Sequence, residues 1–226
     1  MFDILRVEDD FVVINKHPNV SVHKDDGDTM LLQEVAKVTH DSQLYLVHRL
    51  DKMTSGILLL ARNKHAARDL SEAFAHRLVE KYYLAIGSKK PKKKQGVIRG
   101  DMQRSRRASW KLMASQDNPA ITQFFSFAGD SGERLFLCKP YTGKTHQIRV
   151  ALKSIGSGIV GDSIYNLSSK SDRGYLHAFA ICFEYAGKNY RITAQPDLGI
   201  KWQTEEMKQA LRQWEHPWEL PWPRVK

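Results

Sequence analysis

Seven short apolar runs, dense in β-branched and aromatic residues, set the first limit on what this chain can fold into. They lie at Phe11–Ile14, Ile57–Ala61, Tyr82–Ile86, Ile121–Phe127, Leu135–Cys138, Leu176–Phe183 and Tyr190–Thr193. Runs of this length and composition read as strands. Only three segments read as helices. Lys64–Val79 puts Ala67, Leu70, Ala73, Phe74 and Leu78 on one face with charges opposite, and Asn63 is a suitable N-cap. His146–Ser154 is a second helix, and Thr204–Trp214 a third that stops near Pro217. Strands outnumber helices and do not alternate with them, which disfavours a doubly wound sheet or an α/β barrel. The expected fold is α+β, a largely antiparallel mixed sheet with peripheral helices, in one domain over residues 1–226. The Pro- and Lys-rich SKKPKKKQG reads as an exposed loop, and EHPWELPWPRVK as an extended tail packing its tryptophans on the surface.

Charge narrows the partners. Of a net +10, most sits in residues 89–111, where ten basic side chains face a single acid, Asp101, for a local +9. Such a patch attracts polyanions, or serves only as a solvated loop that aids solubility. No apolar stretch approaches the length of a membrane span, and the acidic start MFDILRVEDD is unlike a secretory signal, so a soluble cytoplasmic protein is expected. The two cysteines, Cys138 and Cys182, are far apart in apolar runs and read as buried thiols. Nine scattered histidines form no metal-binding pair, so neither metal nor cofactor is expected.

The most unusual stretch is VHRLDKMTSGILLLARN, Val47–Asn63. A charged cluster precedes Thr54-Ser55-Gly56 and then a wholly apolar strand. Gly56 permits a tight turn at the strand entrance, which leaves Asp51 on a loop held by a rigid scaffold. Taken alone, Asp51 reads most simply as a turn-capping residue.

HRLDKMTSG resembles the His-Arg-Leu-Asp-x-x-Thr-Ser-Gly signature of the RluA family of RNA pseudouridine synthases, over nine positions. Three further stretches resemble the family's motifs in order. Glu80–Ala85 (EKYYLA) resembles Lys-x-Tyr-x-Ala. Thr142–Arg149 (TGKTHQIR) resembles Thr-Gly-Arg-Thr-His-Gln-Ile-Arg. Gly161–Tyr165 (GDSIY), with Leu176-His177-Ala178, resembles the later Gly-Asp-x-x-Tyr-Gly and Leu-His-Ala elements. The resemblance spans about residues 10–195. Three departures touch substrate choice more than activity. Lys144 stands in place of arginine, Ala151 where histidine is frequent, and Asn166 in place of a glycine, where asparagine tolerates a left-handed backbone.

The resemblance implies the pseudouridine synthase fold and an enzyme that isomerises a uridine in structured RNA, ribosomal or transfer, with no cofactor. It implies that Asp51 is the carboxylate acting at the sugar–base junction, by covalent attack or by assisting departure of the base. It assigns Arg149 as the cation opposing that carboxylate, against a reading as a helix-surface residue, and Tyr83 as the aromatic group against the base. Tyr82 then points to the opposite sheet face. The target base must leave its stack, and Arg49 is suited to fill the gap. His48 either supports the loop or contacts a phosphate. Ile148 and Leu176 line the uracil pocket, Lys144 contacts substrate, and His177 is a core or a site histidine. Trp110 reads as half-buried. With the signature at residue 48, no room precedes it for a separate RNA-binding module, and a monomer suffices. Two rivals remain: a non-catalytic RNA-binding protein on the same fold, and a glycosidase-like hydrolase. The hydrolase needs a second carboxylate that no motif supplies near Asp51.

Overall fold

The computed structural model describes residues 1–22, 30–129 and 132–225. Its strands in chain order are β1 (Phe2–Val7), β2 (Phe11–Lys16), β3 (Tyr45–Leu46), β4 (Ser55–Ala61), β5 (Glu80–Gly87), β6 (Gln95–Gly100), β7 (Met102–Arg104), β8 (Trp110–Leu112), β9 (Ala120–Ala128), β10 (Arg134–Pro140), β11 (Leu176–Tyr185) and β12 (Lys188–Thr193). The helices are α1 (Met30–Thr39), α2 (Lys64–Ala75), α3 (Gln147–Ser154) and α4 (Glu205–Gln213). The chain divides into two compact units, Met1–Glu80 with His177–Pro196, and Lys81–Leu176 with Asp197–Lys226.

In the first unit β2 lies antiparallel between β1 and β4. The other edge of β4 takes β11 in parallel at its start and β3 antiparallel at its end, and β12 pairs with β11. Every residue of β2 and β4 is buried, which is why both read as unbroken apolar runs rather than alternating ones. Phe11 is the aromatic hub, with the rings of Phe183, Tyr185 and Tyr190 edge-on to it at 5.5, 5.8 and 5.0 Å. Such pairs each add about 0.5–1.5 kcal/mol beyond their buried area. Asn63 caps α2 as expected, accepting from the Ala66 N–H at 2.9 Å. The helix is shorter than its apolar pattern suggests. Arg77 turns left-handed (φ 60°), the Leu78 N–H closes back on the Ala73 carbonyl, and Leu78 ends outside the helix, 70% exposed.

The second unit carries the antiparallel order β5-β10-β9-β6 and a separate hairpin, β7–β8. Helix α3 packs on β8, β9 and β10 and is buried from Gln147 to Leu152, so it is a core helix. Thr204 caps α4, and Trp214 at its far end meets Phe127 at 5.3 Å. In the tail, Trp222 packs on Phe125 (4.8 Å) and Tyr82 (5.8 Å), and the Pro223 carbonyl accepts from Gln123. Lys226, the end of that tail, lies outside the described residues. The basic window is more ordered than a loop. Lys89, Lys90 and Lys92–Lys94 are exposed around a buried Pro91, and Gln95 and Gly96 already belong to β6. Cys138 is buried and Cys182 only half-buried, and neither forms a disulfide.

Candidate active site

In the first unit the loop from Val47 to Thr54 is held from beneath. Val47, Leu50 and Thr54 are buried anchors. The Thr54 N–H donates to the Asp51 carbonyl at 2.9 Å, closing a turn around Lys52 and Met53. Asp51 is half-buried and Arg49 exposed. The His48 imidazole is engaged in bracing. Its Nε2 accepts the Leu59 N–H at 2.9 Å, and its ring stacks on Phe74 of α2 at 4.3 Å. Of the two uses open to His48 in the sequence, loop support is the one with contacts in the structure.

Lys16, without a role in the sequence reading, and His177, read there as a core or a site histidine, complete the bracing. Lys16, fully buried at the end of β2, donates to the carbonyls of His17, Val20 and Lys52 at 2.9, 2.8 and 3.2 Å. It therefore grips the loop one residue beyond Asp51. His177 is a core histidine. Its Nε2–H donates to the Ala194 carbonyl at 2.7 Å, so Nδ1 is the acceptor facing Ser55 Oγ at 2.8 Å. Gly56 has φ +108°, and a β-carbon there would lie 2.2 Å from the Ala178 carbonyl oxygen. Glycine is required by the close approach of β11 as much as by the turn.

In the second unit the residues gather around α3. Tyr83, half-buried, sits opposite Cys138 on β10, while Tyr82 is fully buried on the other face, as strand alternation requires. The TGKTHQIR stretch is a polar corner. Thr142 Oγ1 donates to Gln147 Oε1 (2.7 Å) and accepts the Ile121 N–H (2.9 Å), and Gln147 Nε2 donates to the Ile121 carbonyl and Thr122 Oγ1, both at 3.0 Å. Lys144 donates to the Asn118 carbonyl at 2.6 Å. Ile148 and Leu176 are both buried.

Arg149 is buried, which removes the helix-surface reading. Its Nε and Nη2 bind Asp162 at 2.8 and 2.9 Å, a bidentate pair, and its guanidinium lies over the Tyr165 ring at 5.1 Å. Asp162 has no solvent exposure and also accepts the Ile164 and Tyr165 N–H groups at 2.9 and 3.1 Å. Burial raises the pKa of this carboxyl, but Arg149 and those two N–H donors outweigh it and hold it below the usual carboxylate range. Tyr165 is shared further, its hydroxyl accepting the Trp110 N–H at 2.9 Å and bonding His146 Nδ1 at 2.8 Å. Asp162 and Tyr165 were visible in the sequence only as letters of a motif, without a function. Asn166 is not left-handed. Its side-chain amide donates to the Gly158 and Ile159 carbonyls at 3.1 Å, so it replaces a glycine through its side chain and not its backbone. Arg173, absent from the sequence reading, is buried and donates to the carbonyls of Gly174, Leu176 and Leu198. Desolvation lowers its pKa to about 10, against the neighbouring acids.

The structure thus brings His48, Arg49 and Asp51 together on one loop, and Tyr83, Lys144, Ile148, Arg149 and Leu176 within the other unit. Among the described residues no cluster of His, Cys, Asp and Glu is arranged to hold a metal ion, and no helix is long and apolar enough to cross a membrane.

Known proteins resemble this chain along most of its length. The family model described as RNA pseudouridylate synthase matches residues 10–154. An uncharacterised RNA pseudouridine synthase of Haemophilus influenzae is 46% identical over 201 residues, covering 88% of this chain and 90% of that protein. The ribosomal large subunit pseudouridine synthase C of Rickettsia bellii is 34% identical over 181 residues, covering 76% of this chain and 60% of that protein. Among solved structures, human RNA pseudouridylate synthase domain containing 1 superposes with a TM-score of 0.74 at 26% identity, covering 94% of this chain and 95% of that one. From its motifs, its fold and these relatives, the chain belongs to the RNA pseudouridylate synthase family.

Proposed function

We propose that this enzyme converts a specific uridine of a folded RNA to pseudouridine with Asp51 as the reacting carboxylate. The N1–C1′ bond of the nucleoside breaks, a C5–C1′ bond forms, the proton on C5 is lost and N1 gains one. Atoms and electrons balance within the substrate, so neither an oxidant nor a nucleotide cofactor is needed. What most supports the reading is the nine-residue motif around Asp51, a half-buried carboxylate on a loop braced through His48 and the Lys52 carbonyl. Attack on C1′ and assistance to base departure are both open to a carboxylate in that position.

Arg149 is the cation we assign to keep the reacting carboxylate ionised, and Tyr83 the aromatic group that stacks on the uracil and helps remove the C5 proton. Ile148 and Leu176 supply apolar pocket walls, and Lys144 a contact to substrate. Arg49, exposed on the same loop as Asp51, fills the space left when the uridine is flipped from its stack. The exposed lysines at 89–94 hold the RNA backbone beyond the target nucleotide. We place the enzyme in the cytoplasm, acting as a monomer through one catalytic domain. The relative named for the ribosomal large subunit makes ribosomal RNA the first substrate to try and transfer RNA the second.

The test is to incubate unmodified ribosomal and transfer RNA transcripts with the wild-type protein and with Asp51→Asn, then map pseudouridine chemically. A new pseudouridine that drops by at least about 10³-fold in the variant is expected. No product from the wild type on either RNA, with equal binding by both proteins, would favour the non-catalytic RNA-binding reading.

A further inference from the structure

We infer that Lys81 binds a phosphodiester flanking the target uridine; this rests on the pseudouridine synthase reading above. Lys81 and Tyr83 are two residues apart on β5, so their side chains share a face about 6.6 Å apart along the strand. Tyr82 between them points the other way, into the core beside Trp222. If Tyr83 stacks on the uracil, Lys81 is displaced from it by a distance of the order that separates a base from its own backbone.

The surroundings of the ammonium support the assignment. β10 runs antiparallel to β5, so the chain leaving β10 at Pro140 passes the start of β5 and brings exposed Gly143 beside Lys81. A β-carbon on Gly143 would lie 3.5 Å from Lys81 Nζ and within 4 Å of nothing else. The amine therefore borders open space at the corner that leads into α3. Among the described residues it has neither an ion pair nor a hydrogen bond, and no neighbouring charge moves its titration. Burial lowers its pKa with no acid to compensate. An ammonium held in partial desolvation without a protein anion is stabilised by an anion that arrives from outside. RNA carries such an anion at every linkage. Lysine suits this as a point charge, which needs no bidentate geometry.

The experiment uses a short RNA containing the target uridine, made with native linkages or with one neutral methylphosphonate, 5′ or 3′ of that uridine. Lys81→Met keeps the stem and removes the charge, with Lys81→Gln as a second neutral variant and Lys81→Arg as the conservative one. A neutral variant should raise KM about tenfold with kcat within about twofold, and arginine should restore most of the loss. One of the two methylphosphonates should raise the wild-type KM by a similar factor but change the KM of the neutral variants less than about twofold. An equal methylphosphonate penalty in wild type and neutral variants would overturn the assignment, as would an unchanged KM in Lys81→Met. If the wild type makes no pseudouridine, the functional reading fails. The same variants and RNAs, compared by fluorescence anisotropy, then still decide whether Lys81 holds a phosphate.

Discussion

The loop carrying Asp51 and the α3 corner carrying Arg149 solve opposite problems. Around Asp51 the loop is braced through backbone and neighbouring groups. An imidazole accepts a backbone N–H, a buried lysine grips backbone carbonyls, and a hydroxyl meets a core histidine. Around Arg149 the charge itself is part of the framework, with two of its nitrogens bound to a fully buried aspartate and its face against a tyrosine ring. A carboxylate that must react is best held by its backbone. A guanidinium that must stay put is best held by its own hydrogen bonds, because a buried cation without a partner is strongly destabilising.

The largest effect should come from the corner. Asp162→Asn leaves Arg149 buried against a neutral amide and should cost about 3–5 kcal/mol, read by urea unfolding. A loss below about 1 kcal/mol would mean that Arg149 is held mainly by other contacts. The pH dependence sharpens this. The Asp162 carboxyl is held below its ordinary value, so its contribution is fully present above the unfolded carboxyl pKa of about 3.9 and is lost as pH falls through the lower folded value. The stability gap between wild type and Asp162→Asn should therefore be constant from neutral pH down to about pH 5 and close below about pH 4.

On the Asp51 side, Gly56→Ala should cost about 3 kcal/mol, since the added methyl meets the Ala178 carbonyl and the backbone is left-handed. That loss should appear in stability and in pseudouridine yield together. Asp51→Asn should instead lower yield while leaving the melting temperature within about 2 °C of wild type. The smallest effect should be Tyr165→Phe, which keeps the ring under Arg149 but removes the acceptor for the Trp110 N–H, at about 1 kcal/mol. A loss as large as that of Asp162→Asn would show that the hydroxyl, and not the ring, secures the corner.

All seven apolar runs lie in strands, because burial of both sheet faces selects β-branched and aromatic residues that remain conspicuous in one dimension. The strands β1, β3, β6, β7 and β8 and helix α1 were not legible. Their residues are largely exposed or half-buried, so no continuous apolar run marks them. Asn63 could be read as a cap because capping depends on residues three apart in the chain.

By itself the sequence determined the strand-rich α+β class, the family, and Asp51 as the residue to test, since each depends on local pattern or on a contiguous motif. Only the tertiary structure decided that Asp162 is a carboxylate bound to Arg149, that Lys16 and His177 brace the Asp51 loop and its strand, and that Asn166 works through its amide. The reason is physical. Lys16 lies 36 residues from Lys52, and Ser55 lies 122 residues from His177. The energy of such a contact depends on desolvation and hydrogen-bond geometry at a point in space, which linear spacing does not encode.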